Sequence, residues 1–356
     1  MQRRLGIIGA GISGAYLAYL LTNELELEIV IYDYDPYYKK PCGEVVPARI
    51  FKDLTSDAKK LLSQYTTRGI RRFKISMNNT SVAEIEATRD IWYVIDKQRL
   101  VLDLRRKAID KGAQLVYKYV TSYQDIRDDT SIIVDARGPF TNSVNPKVPV
   151  YNAILECNRS MDIVYLNFNT KTTGFAWVFP SHRHGTVNIG GGYLKAPRNL
   201  KKHVLTLLSE IISDCKVVRE RGSLITLPLN KIEYSSITNN KLVLRVGEAL
   251  GLVYPTTGEG IRPSLYSAEC LARTLQRHHA SNSKYIVKEY RKCLRNLVSN
   301  IKLHASLLKW VNRLGDTRIF NKVSHDFIYD YLSADLGYKS VFFELGRLLI
   351  KYLSLR

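Results

Sequence analysis

The chain has 356 residues, 45% of them hydrophobic and 24% charged. That balance excludes a disordered or collagen-like polypeptide and predicts about two domains. Its 53 Lys and Arg against 33 Asp and Glu leave a net charge of +20, which favours an anionic partner, either nucleic acid or an acidic membrane surface.

Leu5 to Ile8 is a short apolar run suited to a buried parallel strand. Gly9-Ala10-Gly11-Ile12-Ser13-Gly14 follows, and then AYLAYLLTNEL at helical periodicity. With Arg3-Arg4 in front, this run also resembles an export signal. Glycines at phosphate-loop spacing and the lack of a small-residue cleavage site argue against that. Strand, G-x-G-x-x-G and helix in this order predict a dinucleotide site, with Gly9, Gly11, Ser13 and Gly14 against the pyrophosphate at the helix N-terminus. The next strand, EIVIYD, ends on Asp33, whose carboxylate is placed to accept the hydroxyls of an adenosine ribose; Asp35 is the weaker alternative by register.

The elements beyond do not continue as plain βα units. GIRRFKISMNNTSVAEIEA, from Gly69 to Ala87, reads as two strands around an Asn78-Asn79 turn. A helix from Lys97 to Lys111 and a strand near Gln114–Val120 come next, and SIIVDARGP is a buried strand ending at Ala136-Arg137-Gly138. Arg99, at the start of that helix, has two readings: contact with the cofactor's phosphates, or surface pairing with Asp96 or Asp103. Interruptions of this kind are typical of flavin enzymes, in which a separate domain brings substrate to the cofactor.

Three further segments carry a resemblance. They are Lys40-Pro41-Cys42-Gly43-Glu44, the run GFAWVFP from Gly174 to Pro180, and VGEALGLVYPTTGEGI from Val246 to Ile261. With the N-terminal fingerprint they make residues 5–270 similar to the geranylgeranyl reductase family, FAD enzymes related to para-hydroxybenzoate hydroxylase. The resemblance implies that Gly247-Glu248 is a second FAD fingerprint, normally Gly-Asp. It implies that Cys42 lines the catalytic pocket beside Gly43, and that Phe175 stands where the family usually has Tyr.

The residues support part of this on their own. In TTGEGIRPSLYSAECLARTL a glycine turn with Gly258 and Gly260 opens a helix at Ile261, and its free amides suit the electron-rich edge of a flavin. Arg262 is a candidate for an anionic substrate head or a structural residue. Cys42 is a candidate proton donor to a substrate carbon, or an inert buried filler, and Glu44 either tunes it or satisfies a loop amide. Phe175, Trp177 and Phe179 alternate onto one strand face and, with Pro180, form either the wall of an isoprenoid tunnel or plain sheet core. GTVNIGGGY closes that sheet, with Gly190 to Gly192 marking a bend or bulge. His182 and His184 flank Arg183 as a polar cavity mouth or a solvated turn, and no metal is assigned.

The expected fold is α/β (α+β overall): a Rossmann-like FAD-binding domain (1–68, 88–148 and 240–280) interleaved with an antiparallel-sheet substrate domain (69–87 and 149–239, with a helix near 200–213). A C-terminal helical region follows, 281–356. From Leu271 to Arg356 there are 16 basic and 6 acidic residues on amphipathic helices, which suits a peripheral membrane contact and no nucleic acid. No stretch has the about 18 uninterrupted apolar residues that span a bilayer. Five scattered cysteines (Cys42, Cys157, Cys215, Cys270, Cys293) without a C-x-x-C pair fit neither a disulfide scaffold nor a zinc site, so a reducing cytoplasm is expected.

The expected activity is saturation of C=C bonds in geranylgeranyl chains of archaeal-type membrane lipids. An isoprenoid lipid is the substrate, and electrons come from a ferredoxin or an NAD(P)H-linked reductase. The alternatives are a flavin monooxygenase hydroxylating an aromatic or lipid substrate, and a non-enzymatic prenyl-lipid binding protein on the same fold.

Overall fold

The computed structural model describes residues 4–22, 27–126, 129–314 and 323–353. The chain forms two compact units: Met1–Lys39, Lys97–Lys147 and Ile225–Lys302 in the first, and Lys40–Asp96, Val148–Leu224 and Leu303–Arg356 in the second.

The first unit is built on a six-stranded sheet. Its spatial order is Ser235–Thr238, Lys241–Arg245, Thr130–Asp135, Arg4–Ile8, Glu28–Asp33 and Gln114–Tyr117. The segments LGII, IVIY, IIV and LVL are runs of branched apolar residues, buried as parallel strands covered on both faces require. The edge hairpin is the antiparallel exception; it turns at Asn239-Asn240, both at positive φ (49° and 60°), as a tight two-residue turn requires. The helix Ile12–Leu21 is buried over most of its surface because it packs on two others, Lys97–Asp110 and Ile261–His278.

The second unit holds a seven-stranded sheet. Its order is Cys215–Thr226, Lys147–Cys157, Thr186–Tyr193, Gly174–Pro180, Ile163–Asn169, Arg72–Met77 and Thr80–Glu86. Asn78 and Asn79, both at positive φ, turn the last hairpin as the sequence predicts. Alternation along Gly174–Pro180 sorts its side chains by face. Ala176 and Val178 pack with Val204 and Leu208 of the helix Leu200–Leu208. Trp177 and Phe179 join Phe73, Ile75 and Val164, together with Ile328 and Leu332 of the helix His325–Leu332. A separate three-stranded sheet places Trp92–Ile95 between Val45–Pro47 and Thr66–Ile70.

Four expectations are corrected. Residues 40–68 and 88–96 lie in the second unit, because their strands pair with one another in the three-stranded sheet. Residues 225–239 and 281–302 lie in the first unit, so the C-terminal helices are divided. Gly190 to Gly192 make no bend; the strand runs in regular register, and a β-carbon on Gly190 would come 2.3 Å from the Trp177 ring, so glycine makes room for the indole.

The fourth concerns the cysteines. Cys157 pairs with Cys215 and Cys270 with Cys293, leaving Cys42 as the free thiol. Cys157 and Cys215 end and begin neighbouring strands, and Cys270 and Cys293 sit on packed helices. Sequence spacings of 58 and 23 carry no trace of either pairing. The spacing of these cysteines therefore does not indicate a reducing compartment.

Candidate functional site

In the first unit the fingerprint folds as a cradle. A β-carbon on Gly14 would meet the Gly9 carbonyl oxygen at 1.9 Å, so helix and turn touch backbone to backbone. Beside Gly11 there is open space, with only the Tyr38 ring at 3.7 Å. The helix Ile12–Leu21 has no side-chain cap and no acidic residue in its first turn, which leaves its positive end available to an anion.

Asp33 closes the cradle. Its carboxylate accepts from the amide of Ala10 and, at 2.8 Å, from that of Asp35. Asp35 turns its own carboxylate to the amides of Tyr37 and Lys39. Behind them lies Arg105, buried, its Nη2 3.3 Å from Asp33 Oδ2. Its Nε donates to the Ala10 carbonyl at 2.8 Å and its Nη1 to that of Asp35 at 2.6 Å.

Arg105 is the residue the sequence reading missed, and the signal was present. It falls on the buried stripe Leu100, Val101, Leu104, Ala108, where a cation needs a partner. Arg99, the sequence candidate on the same helix, is 68% exposed and pairs with Asp103 at 3.9 Å.

The second fingerprint reaches the same cradle. Gly247 has φ +62° and its amide donates to Ser267 Oγ at 3.0 Å, while a β-carbon there would lie 2.6 Å from Ser13 Oγ. Glu248 turns away; its Oε1 accepts from the Thr226 amide at 2.8 Å. Gly258 is at φ +67°, and Gly260 begins the helix Ile261–His278 with no side-chain cap. Arg262 is buried, with its Nη2 3.0 Å from Glu259 Oε2 and its guanidinium over the Tyr254 ring. It is built into the turn and does not present its charge to a substrate.

A second missed cluster anchors the Thr130–Asp135 strand. Asp135 is fully buried and accepts from Tyr123 at 2.8 Å, Thr141 at 2.6 Å and Arg137 Nη2 at 2.8 Å. Burial alone would raise its pKa, but the Arg137 hydrogen bond and charge, with Thr141 and Tyr123, hold it below the usual carboxylate range. The next residue, Ala136, donates to the Ile8 carbonyl, which holds the strand ends in line beside Gly9.

The Cys42 loop belongs to the second unit. Gly43 lies against the Phe179 ring, which stacks with Trp177 at 5.7 Å, and Trp177 is 5.8 Å from Phe175. Phe179 also meets Trp92 edge-on, so much of the aromatic wall is sheet core; Phe175 is only half-buried.

A polar network ties the loop to this wall. Asn188 Nδ2 donates to the Cys42 carbonyl at 2.7 Å, while its Oδ1 accepts from Trp177 Nε1 at 3.1 Å and from Asn152 Nδ2 at 2.7 Å. Two buried asparagines in strands otherwise apolar on that stretch were the legible signal.

Glu44 completes the loop. Its amide lies 3.4 Å from Cys42 Sγ, and its carbonyl accepts from Ile95. His182 Nδ1 is 3.2 Å from Glu44 Oε2. The hydrogen bond to Glu44 and its charge hold His182 protonated above the usual imidazole range, against the opposing effect of burial. Of the two histidines read as a mouth or a turn, His182 is thus part of the Cys42 neighbourhood.

No family model matches the chain. Among curated proteins it is similar to the geranylgeranyl diphosphate reductase of Rhodobacter capsulatus, 24% identical over 284 residues, 72% of this chain and 70% of that one. It is likewise similar to the geranylgeranyl diphosphate reductase of Synechocystis sp., 24% identical over 325 residues, 77% of this chain and 75% of that one. Among solved structures, a geranylgeranyl bacteriochlorophyll reductase-like protein from Thermoplasma acidophilum superposes with a TM-score of 0.64 at 16% identity, covering 97% of this chain and 99% of that one. A halogenase in complex with FAD gives 0.65 at 14% identity, covering 90% and 85%.

Proposed function

We propose that this chain, a relative of the geranylgeranyl reductases, is an FAD-dependent oxidoreductase that saturates C=C bonds in geranylgeranyl chains of membrane lipids. The observation that carries the reading is a free thiol, Cys42, in a loop held by Asn188 and Glu44 beside the Trp177 and Phe179 rings, in a chain that also folds a glycine cradle. The cradle suits FAD: Gly11 has open space beside it, Gly14 lets helix and turn touch, the helix Ile12–Leu21 begins without a side-chain cap, and Asp33 at the end of the next strand is the candidate for the ribose hydroxyls. Reduced FAD, when bound, supplies hydride.

The chain's own residues supply the rest. An isolated alkene has no carbonyl to polarise, so its second carbon needs a proton donor held in position. Cys42 is that donor: its S–H bond breaks, the proton joins the carbon opposite the hydride, and the thiolate left behind is reprotonated from solvent. Phe175, Trp177 and Phe179 offer the apolar contact a prenyl chain needs. Electrons reach the protein from outside, by a ferredoxin or an NAD(P)H-linked reductase, since a single G-x-G-x-x-G fingerprint is present.

A peripheral membrane contact is part of the proposal. Among the described residues no helix is long and apolar enough to cross a bilayer. The helix Tyr338–Leu353, however, exposes Phe342 (77%) and Phe343 (78%) near Lys339, on a chain of net charge +20. Aromatic side chains beside cations suit the surface of an anionic membrane.

The test is anaerobic. FAD-loaded protein is reduced with dithionite, mixed with a geranylgeranyl lipid, and the lipid is weighed. A gain of about two mass units per double bond, lost in Cys42→Ala and Cys42→Ser, supports the reading. Unchanged lipid over fully reduced flavin removes it. NAD(P)H-driven oxygen uptake with an aromatic substrate then points to a monooxygenase, and colourless protein that still binds lipid points to a carrier.

A further inference from the structure

We infer that Glu44 is the positioning residue of the Cys42 thiol and that His182 locks it in place, which makes the geometry of the thiol depend on pH. The inference deepens the proposed function and rests on Cys42 acting at the substrate carbon.

Every polar part of Glu44 is engaged. Its amide points at Cys42 Sγ from 3.4 Å, its carbonyl accepts from Ile95 at 2.9 Å, and its carboxylate lies 3.2 Å from His182 Nδ1. It is buried, and it has φ +59°, a left-handed conformation unfavourable to a residue with a β-carbon. Such a conformation persists only where the surroundings over-determine it. Here the neighbouring Gly43 is pinned against Phe179 and the Cys42 carbonyl is held by Asn188, so the loop is fixed on either side of the sulfur.

The carboxylate supplies the remaining hold. Burying it is unfavourable unless a cation offsets it, and His182 is the residue placed to do so. The charged groups acting on His182 besides Glu44 are Asp96, just past the Trp92–Ile95 strand, and Arg183, next to His182 in the chain; Arg68 donates to the neighbouring Ser181 carbonyl at 2.9 Å and pairs with Asp162. Asp96 favours the imidazolium and Arg183 opposes it.

The sign follows. His182 is raised in the folded protein, so the ion pair contributes fully below the ordinary imidazole value of about 6.5 and is lost as pH rises through the raised folded value. Once His182 is neutral, the Glu44 carboxylate loses its counter-charge, the loop relaxes, and the amide no longer aims at the sulfur.

The experiment reads the thiol directly. With the other four cysteines paired, N-ethylmaleimide under non-reducing conditions reports on Cys42 alone. Its rate is measured from pH 5.5 to 9 on FAD-loaded wild type, Glu44→Gln and His182→Gln, without substrate. The wild-type profile is expected to carry a severalfold step at and above the histidine range, in addition to the thiol's own rise. Both variants should lose that step and keep the rise. A wild-type curve with the thiol's rise alone, or a step that survives in His182→Gln, overturns the inference. If a variant does not fold, the wild-type curve still decides. Lipid reduction is assayed in parallel. A step without lipid reduction leaves the clamp standing and removes the proposed reaction; reduction without a step does the reverse.

Discussion

Ser13 Oγ stands 2.6 Å from where a β-carbon would sit on Gly247, so the two glycine fingerprints, far apart along the chain, meet at one point of the first unit. Ser13 belongs to the helix whose amides face the expected pyrophosphate, and Gly247 opens the turn that leads to the helix Ile261–His278. The contact closes the cradle only because position 247 has no side chain.

Gly247→Ala is therefore expected to weaken FAD binding. The alanine must adopt φ +62°, a strain of about 1–2 kcal/mol, and displace Ser13 as well. Gly112→Ala is the control, since it has φ +105° but nothing within 4 Å of its β-carbon. Flavin absorbance per protein should fall for the first and hold for the second, while both melting temperatures fall, that of Gly247→Ala further because of the Ser13 clash. Equal flavin content in the two variants would refute the cradle.

Asp135 sets the acid limit of the first unit. Its folded pKa is depressed, so its contribution is present above the ordinary carboxylate value of about 4 and is lost as pH falls through the folded value. Asp135→Asn removes one partner of a buried ion pair and should cost about 3–5 kcal/mol at neutral pH. The difference between wild type and variant should shrink as the pH of the denaturation experiment is lowered. A constant difference from pH 7 to pH 3 would assign the effect to packing alone.

The two disulfides make stability sensitive to reductant. In the chain-entropy account, separations of 23 and 58 residues correspond to about 3 and about 4 kcal/mol. Thiol titration of denatured protein should count one cysteine without reductant and five with it, and the reduced protein should melt at lower temperature. Five thiols in unreduced protein would show that the pairs do not form under those conditions.

Phe342→Ser and Phe343→Ser should each lower sedimentation of the protein with anionic phospholipid vesicles and leave its melting temperature nearly unchanged, because both rings are exposed. Raised salt should weaken wild-type binding further. Wild type that fails to bind anionic vesicles at low salt, or variants that bind as well as it does, would remove the membrane contact.

Local order was legible in the amino acids themselves. Apolar and alternating runs located strands such as Arg4–Ile8, Glu28–Asp33, Thr130–Asp135 and Gly174–Pro180, and two consecutive asparagines located a hairpin at Asn78-Asn79. The spacing of Gly9, Gly11 and Gly14 located the turn between strand and helix, because each of these depends on backbone preference within a few residues. The partner of a buried polar group is a different kind of fact. Arg105 finds Asp33, Asn188 finds the Cys42 carbonyl, Glu44 finds His182 and Cys157 finds Cys215 across 58 to 146 positions of chain. A sequence read in windows shows only that such a group must be satisfied, as Arg105 on an apolar helix stripe does. Which group satisfies it, and on which unit a loop such as 40–68 folds, was decided by strand pairing and packing between distant segments.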